Sequence, residues 1–269
     1  MINRLLSRVF IKSEVSSYRS FQKNLTKVDY KLISILVIVA LSVTFARYLG
    51  DYSFLGLMFH NLELLQLSQA YDAVMVTHVD AKLYRLIYWA TVVSFFFFVV
   101  PCVFIVFVLK EKLIDYGLGF NGAFKDYKLA ILMLAIMLPL IIYFSGTQSF
   151  LATYPFYKFD ADESLYPNFF IWESFYFMQF VALEFFFRGF VLHGTKQRFG
   201  FYAIFVMMIP YCMIHFDKPI METIAAIIAG IVLGIMSLRS KSIWMGVFVH
   251  CCVALTMDLC ALYRKGMLL

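Results

Sequence analysis

The chain holds apolar runs that are hydrophobic on every face. FFFFVVPCVFIVFVL at 95–109 and LAILMLAIMLPLII at 129–142 contain no charged residue. An amphipathic helix or a half-buried strand would interleave polar positions, so a run without them must be enclosed by protein or by lipid. Roughly 20 such residues cross the hydrocarbon of a bilayer as an α-helix. Stretches of this kind lie near 32–49, 84–109, 129–146, 167–195, 200–216, 220–238 and 243–263. A transmembrane β-barrel would alternate apolar and polar residues, which these do not. The expected fold is all-α, a polytopic transmembrane helical bundle of about seven to eight spans. Composition agrees: 62% of residues are hydrophobic, 15% are charged, and the mean hydropathy is +0.81.

The net charge of +6 does not imply a nucleic-acid partner, because the cations flank the apolar runs instead of gathering in one polar domain. They read as topology signals. Arg4, Arg8, Lys12, Arg19, Lys23, Lys27 and Lys31 precede the first span, and Lys110, Lys112, Lys125 and Lys128 follow the second. Lys196 and Arg198 follow the fourth, and Arg239 and Lys241 follow the sixth. The alternate connections carry Asp51, Glu63, Asp72 and Asp80, then Asp160, Asp162 and Glu163. The positive-inside rule places the N-terminus in the cytoplasm, although Arg264 and Lys265 fall on the other side. The first 31 residues lack the apolar core of a cleavable signal, so the first span is the expected anchor. Cys102, Cys212, Cys251, Cys252 and Cys260 lie in apolar runs without CxxC spacing, which speaks against a disulfide framework or a zinc knuckle.

Four parts follow: a basic cytoplasmic arm (1–31), N-terminal transmembrane helices with interfacial segments (32–166), a helical core (167–263) and a short tail (264–269). Leu55, Phe59, Leu62 and Leu65 recur at helical spacing within 51–83, which predicts an interfacial amphipathic helix. LKEKLIDYGLGFNGAFKDYK at 109–128 predicts another on the cytoplasmic side.

Ionisable residues inside a span are costly and face the bundle interior or a wet cavity. Here they are Glu173, Glu184, Arg188 and His193 on the fourth span, His215 at the end of the fifth, and His250 and Asp258 on the seventh. Glu184 and Arg188 stand four residues apart and can form an ion pair on one helix face. Glu173 falls within about 20° of Glu184 round the helix and extends its stripe. His193 points to the opposite face, as a structural residue would. If spans four and five form a hairpin near Gly200, Glu184 and His215 sit at similar depth, about 20 Å from the turn. His250 enters from the same side. A buried carboxylate with two imidazoles can activate water: Glu184 as general base, His215 helping to orient the water, and His250, with help from Asp258, holding the oxyanion. HExxH, GxSxG and GxGD motifs are absent.

EFFFRGF, YCMIHF and IWMGVFVH, in that order over about 167–263, resemble the CAAX protease and bacteriocin-processing family (CPBP, or Abi) of glutamic intramembrane endopeptidases. Its pattern is EExxxR, then FxxxH, then HxxxN or HxxxD on successive helices. The resemblance implies a catalytic helical core that hydrolyses peptide bonds of membrane-associated proteins or peptides in an integral-membrane setting, the inner (cell) membrane of a bacterium. It implies Glu184, His215 and His250 as catalytic residues, with Arg188, Asp258 and Glu173 in support and no cofactor. Three positions depart from the pattern. Leu183 stands where the first glutamate belongs, Tyr211 replaces the phenylalanine, and Ala254 replaces the Asn or Asp, with Asp258 one turn further on. Alternatives open at this point are an inactive pseudoprotease, a transporter or haem protein using the same Glu and His, and a divalent metal at His215/His250.

Overall fold

The computed structural model describes residues 29–159 and 163–268; the cations from Arg4 to Lys27, and Asp160 and Asp162, lie outside the described residues. Those residues contain helices and turns and no strand. The first helix, α1 (Tyr30–Leu49), begins at Asp29, whose carboxylate accepts the Leu32 N–H at 3.0 Å. This bond satisfies one of the N–H groups that every helix start leaves open. In place of one interfacial helix over 51–83 the chain forms two, α2 (Tyr52–Asn61) and α3 (Leu65–Met75). They are mostly exposed, with Leu57, Leu62, Leu65 and Leu67 facing outward.

The next helix, α4 (Ala81–Val108), runs 28 residues and contains Pro101. Proline lacks an N–H, and its ring crowds the carbonyl four residues back. Wide π-type turns at Phe95–Val99 and Phe104–Val108 flank it and make the room. The helix expected over 109–128 does not form. A short 3₁₀ turn at Leu113–Tyr116 is followed by Gly117 at φ 89° and Gly122 at φ 81°, left-handed conformations that break a helix. This loop is instead pinned to the far end of the chain. Gly117 and Leu118 carbonyls accept from the Ile243 N–H and the Trp244 indole, at 3.0 and 3.1 Å, and Phe120 stacks on Trp244.

Helices α5 (Tyr127–Phe144) and the short α6 (Gln148–Thr153) lead to the centre of the bundle. There α7 runs over 168–199, regular from Asn168 to Glu184, π-wound at Phe185–Val191 and regular again to Phe199. Gly200 breaks it at φ 56°, ψ −128°, and α8 (Ala203–Met213) doubles back along it. Helices α9 (Ile220–Ser240) and α10 (Trp244–Arg264) complete the chain.

Among the described residues six stretches are long and apolar enough to cross a membrane, one of them the 46 residues Asn168–Met213. At 1.5 Å per residue a straight rod of that length would reach about 70 Å, more than twice the hydrocarbon thickness. The fold at Gly200 resolves the excess: this stretch is a hairpin of two limbs, and seven limbs result. Their ends sort into two groups. Lys31 bridges Glu111 at 2.7 Å, and Arg239 bridges Asp126 at 3.0 Å, at one end. Arg47 meets Asp217, and Lys265 donates to the Tyr154 carbonyl, at the other. Arg264 likewise binds the Ile142 carbonyl, so the two cations that break the charge pattern cap a helix end.

Lipid tails are as apolar as leucine, so helices in a membrane associate through close packing and polar contacts. The hairpin is the packed centre, 78% buried in its apolar window, against 11% for α5. Phe185, Phe186, Phe187 and Phe190 are fully buried, and Phe186 stacks on Phe97 of α4 with ring centroids 4.4 Å apart. Gly230 and Gly234, one turn apart on α9, admit α8 closely; a methyl at Gly230 would stand 3.2 Å from the Tyr211 ring.

Candidate active site between α7, α8 and α10

Glu184 ends the regular part of α7, and Arg188 follows one turn later in the π-wound segment. Both are fully buried, with Arg188 Nη1 3.2 Å from Glu184 Oε1. The expected ion pair therefore forms. Its carboxylate has a second partner, because His250 Nδ1 of α10 approaches the same Oε1 at 2.8 Å. Gly246, one turn before His250, makes this approach possible. A Cβ there would lie 2.2 Å from Glu184 Oε2, so only glycine lets α10 close over the carboxylate.

Tyr211 of α8 joins the two histidines. Its hydroxyl lies 2.9 Å from His250 Nε2, and its carbonyl oxygen 2.8 Å from His215 Nδ1. Its ring lies edge-on to His215 at 4.9 Å, and the Arg188 guanidinium carbon sits 3.9 Å from its centroid on the opposite helix. A guanidinium over a desolvated aromatic face gains on the order of 2 kcal/mol. The bond to the Tyr211 carbonyl requires a hydrogen on His215 Nδ1, which leaves Nε2 with its lone pair. His215 lies past the end of α8, where burial lowers its pKa to about 4, so the ring is neutral at neutral pH.

Glu184, Arg188, His215 and His250 thus converge, as depth matching along the spans anticipates. Asp258 and Glu173 do not join them. Asp258 lies two turns beyond His250, about 12 Å along the helix, and its buried carboxyl interacts electrostatically with Glu173 and the Trp172 indole without a formed hydrogen bond. The two carboxyls form a separate buried contact between the same two helices. The methyl of Ala254 separates the polar levels and packs in a cluster with Trp172, Tyr176 and Phe180. These aromatics follow at four-residue spacing up to Phe180, which stacks on His250 at 5.3 Å. Leu183 is buried in the phenylalanine-rich core. His193 is structural: its Nε2 lies 3.0 Å from Ser237 Oγ of α9 and its Nδ1 2.8 Å from Lys196 Nζ.

Two site residues escape sequence reasoning. Tyr211 is legible only as a volume-conserving replacement of phenylalanine, and its extra oxygen is the signal. Gly246 leaves no trace beyond being a glycine one turn before a histidine. Among the described residues no group of three or more His, Cys, Asp or Glu is arranged to hold a metal ion.

Residues 166–256 match a family model, Rce1-like, described as type II CAAX prenyl endopeptidase Rce1-like. No curated protein and no solved structure matches the chain. The matched segment runs from the start of α7 past His250 and contains every residue of the converged cluster.

Proposed function

We propose that the chain is an intramembrane endopeptidase that hydrolyses peptide bonds of membrane-associated proteins or peptides. The family match supports a CAAX-type intramembrane protease. The observation that carries the chemistry is the convergence of four groups in a bundle of apolar helices: Glu184 against His250, the His250 ring on the Tyr211 hydroxyl, and His215 on the Tyr211 backbone carbonyl. His215 is the base: its Nε2 lone pair has no hydrogen-bond partner among the described residues and takes a proton from water as the water oxygen attacks the carbonyl carbon. Glu184 acts from behind. Its carboxylate is fully buried against His250, Arg188 and Gly246, so it works by orienting and charging His250. Arg188 holds the carboxylate in place. The imidazolium formed on His215 then returns its proton to the leaving amine. Protein groups carry out these steps without a cofactor. The N-terminus and the ends near Lys31, Lys125, Lys196 and Lys241 face the cytoplasm, where cations accumulate.

Cleavage of candidate membrane peptides by the protein in detergent or liposomes, compared with Glu184→Ala and His215→Ala, tests this. Both variants lose cleavage. Equal cleavage by all three would remove the proposed roles, and loss of activity on adding a chelator would point to a metal at His215/His250.

A further inference from the structure

On that reading of the site, we propose that Tyr211 is a catalytic residue, its phenol delivering to the substrate carbonyl oxygen the hydrogen bond that the Glu184–His250 pair controls. His250 Nδ1 lies 2.8 Å from Glu184 Oε1 in an ion-pair contact and its Nε2 lies 2.9 Å from Tyr211 Oη, so both ring nitrogens face oxygens of the protein. Neither is left to touch a substrate. Whatever His250 contributes must leave through the phenol oxygen.

The phenol is built for that. The Arg188 guanidinium stacks on its ring, so positive charge backs the ring on one side and His250 meets its oxygen on the other. Gly230 gives the ring its slot, and Phe187 packs against it edge-on at 5.3 Å. One turn after His250, where a side-chain donor would face the same space, stands the methyl group of Ala254.

The step balances without a further reactant. With a hydrogen on each ring nitrogen, His250 faces the Glu184 carboxylate through Nδ1–H and donates through Nε2–H to Tyr211 Oη, which frees the phenolic hydrogen. Water loses a proton to His215 Nε2 as its oxygen bonds to the carbonyl carbon, and the carbonyl π pair moves to oxygen. The phenolic O–H bonds to that oxyanion. When the C–N bond breaks, its pair leaves with nitrogen, which takes the proton from His215, while the oxyanion pair re-forms the carbonyl. Donors aimed at a developing oxyanion act on the transition state, so removing one lowers kcat by roughly 10²–10³-fold.

Tyr211→Phe removes only the oxygen and keeps the ring under Arg188 and the carbonyl that holds His215. Measured on a membrane peptide that the wild type cleaves, it lowers kcat by about 10²-fold or more with KM within about threefold. His250→Ala lowers kcat comparably, and the double variant loses no more than His250→Ala alone, because the two act as one relay. Wild-type kcat in Tyr211→Phe, or independent losses that multiply in the double variant, would overturn the proposal. A fall in thermal stability with kcat intact would overturn it too, as that marks a packing role. A wild type that cleaves no peptide, level with His215→Ala, would instead bring down the protease reading, which the first two outcomes leave standing.

Discussion

Helices α7 and α10 meet at two polar levels with different chemistry. At one, a buried carboxylate faces an imidazole, a guanidinium and a phenol; at the other, Glu173 faces Asp258 with the Trp172 indole beside them. Both carboxylates come from one stripe of α7, eleven residues apart, and both partners from one stripe of α10, eight apart. Helical periodicity therefore makes the levels possible without distinguishing them. The difference lies in what α8 and the π-wound turn bring. Tyr211, His215 and Arg188 reach the first level and not the second, so the first can move a proton between distinct groups. Two like carboxyls that close can only share one.

Matched substitutions at the two levels test this difference. The largest effect is on turnover: His215→Ala lowers kcat by roughly 10²–10⁴-fold, the usual worth of a general base, whereas Glu173→Gln stays within about threefold of wild type. Equal losses would mean that the second level takes part in the chemistry. Next comes stability, read by thermal unfolding in detergent. Glu184→Gln leaves Arg188 buried without a counter-charge and costs about 3–5 kcal/mol. Glu173→Gln keeps its shape, can donate to Asp258, and changes stability by about 1 kcal/mol or less. Gly246→Ala drives a methyl into Glu184 and costs about 1–3 kcal/mol, with a loss of cleavage that an alanine at an exposed surface position of α10 does not cause.

The smallest effect is on pH. The His215 pKa is lowered on folding, from 6.5 to about 4, chiefly by burial. The unfolded chain then binds the extra proton between those values, so stability is full above about pH 6.5 and declines as pH falls towards 4. Unfolding midpoints across that window should decline less in His215→Asn than in wild type. An identical slope in both would place the titration elsewhere.

The fold class was legible because apolar length is a direct physical requirement of a bilayer, and the hairpin because Gly200 and the cations at 196 and 198 mark a turn. Convergence of Glu184, His215 and His250 followed from depth alone. What escaped was set by contact and not by period. The stretch 109–126 has helical spacing, yet Gly117 and Gly122 adopt conformations that a periodic pattern does not reveal. Asp258 looked like a partner for His250 because both lie on α10, but two turns of helix carry it to a different neighbour. Tyr211 hid because tyrosine and phenylalanine fill the same volume, and only a nitrogen 2.9 Å away gives its oxygen a meaning.

The break at Gly200 has one more effect, on parity. Counted by hydropathy alone, the apolar stretches are six, an even number that would return Lys265 to the side of Lys31. A single residue at positive φ makes the count odd. Reporter domains fused after residue 268 and at the N-terminus are expected to report opposite compartments; the same compartment for both would mean that the second limb of the hairpin does not cross.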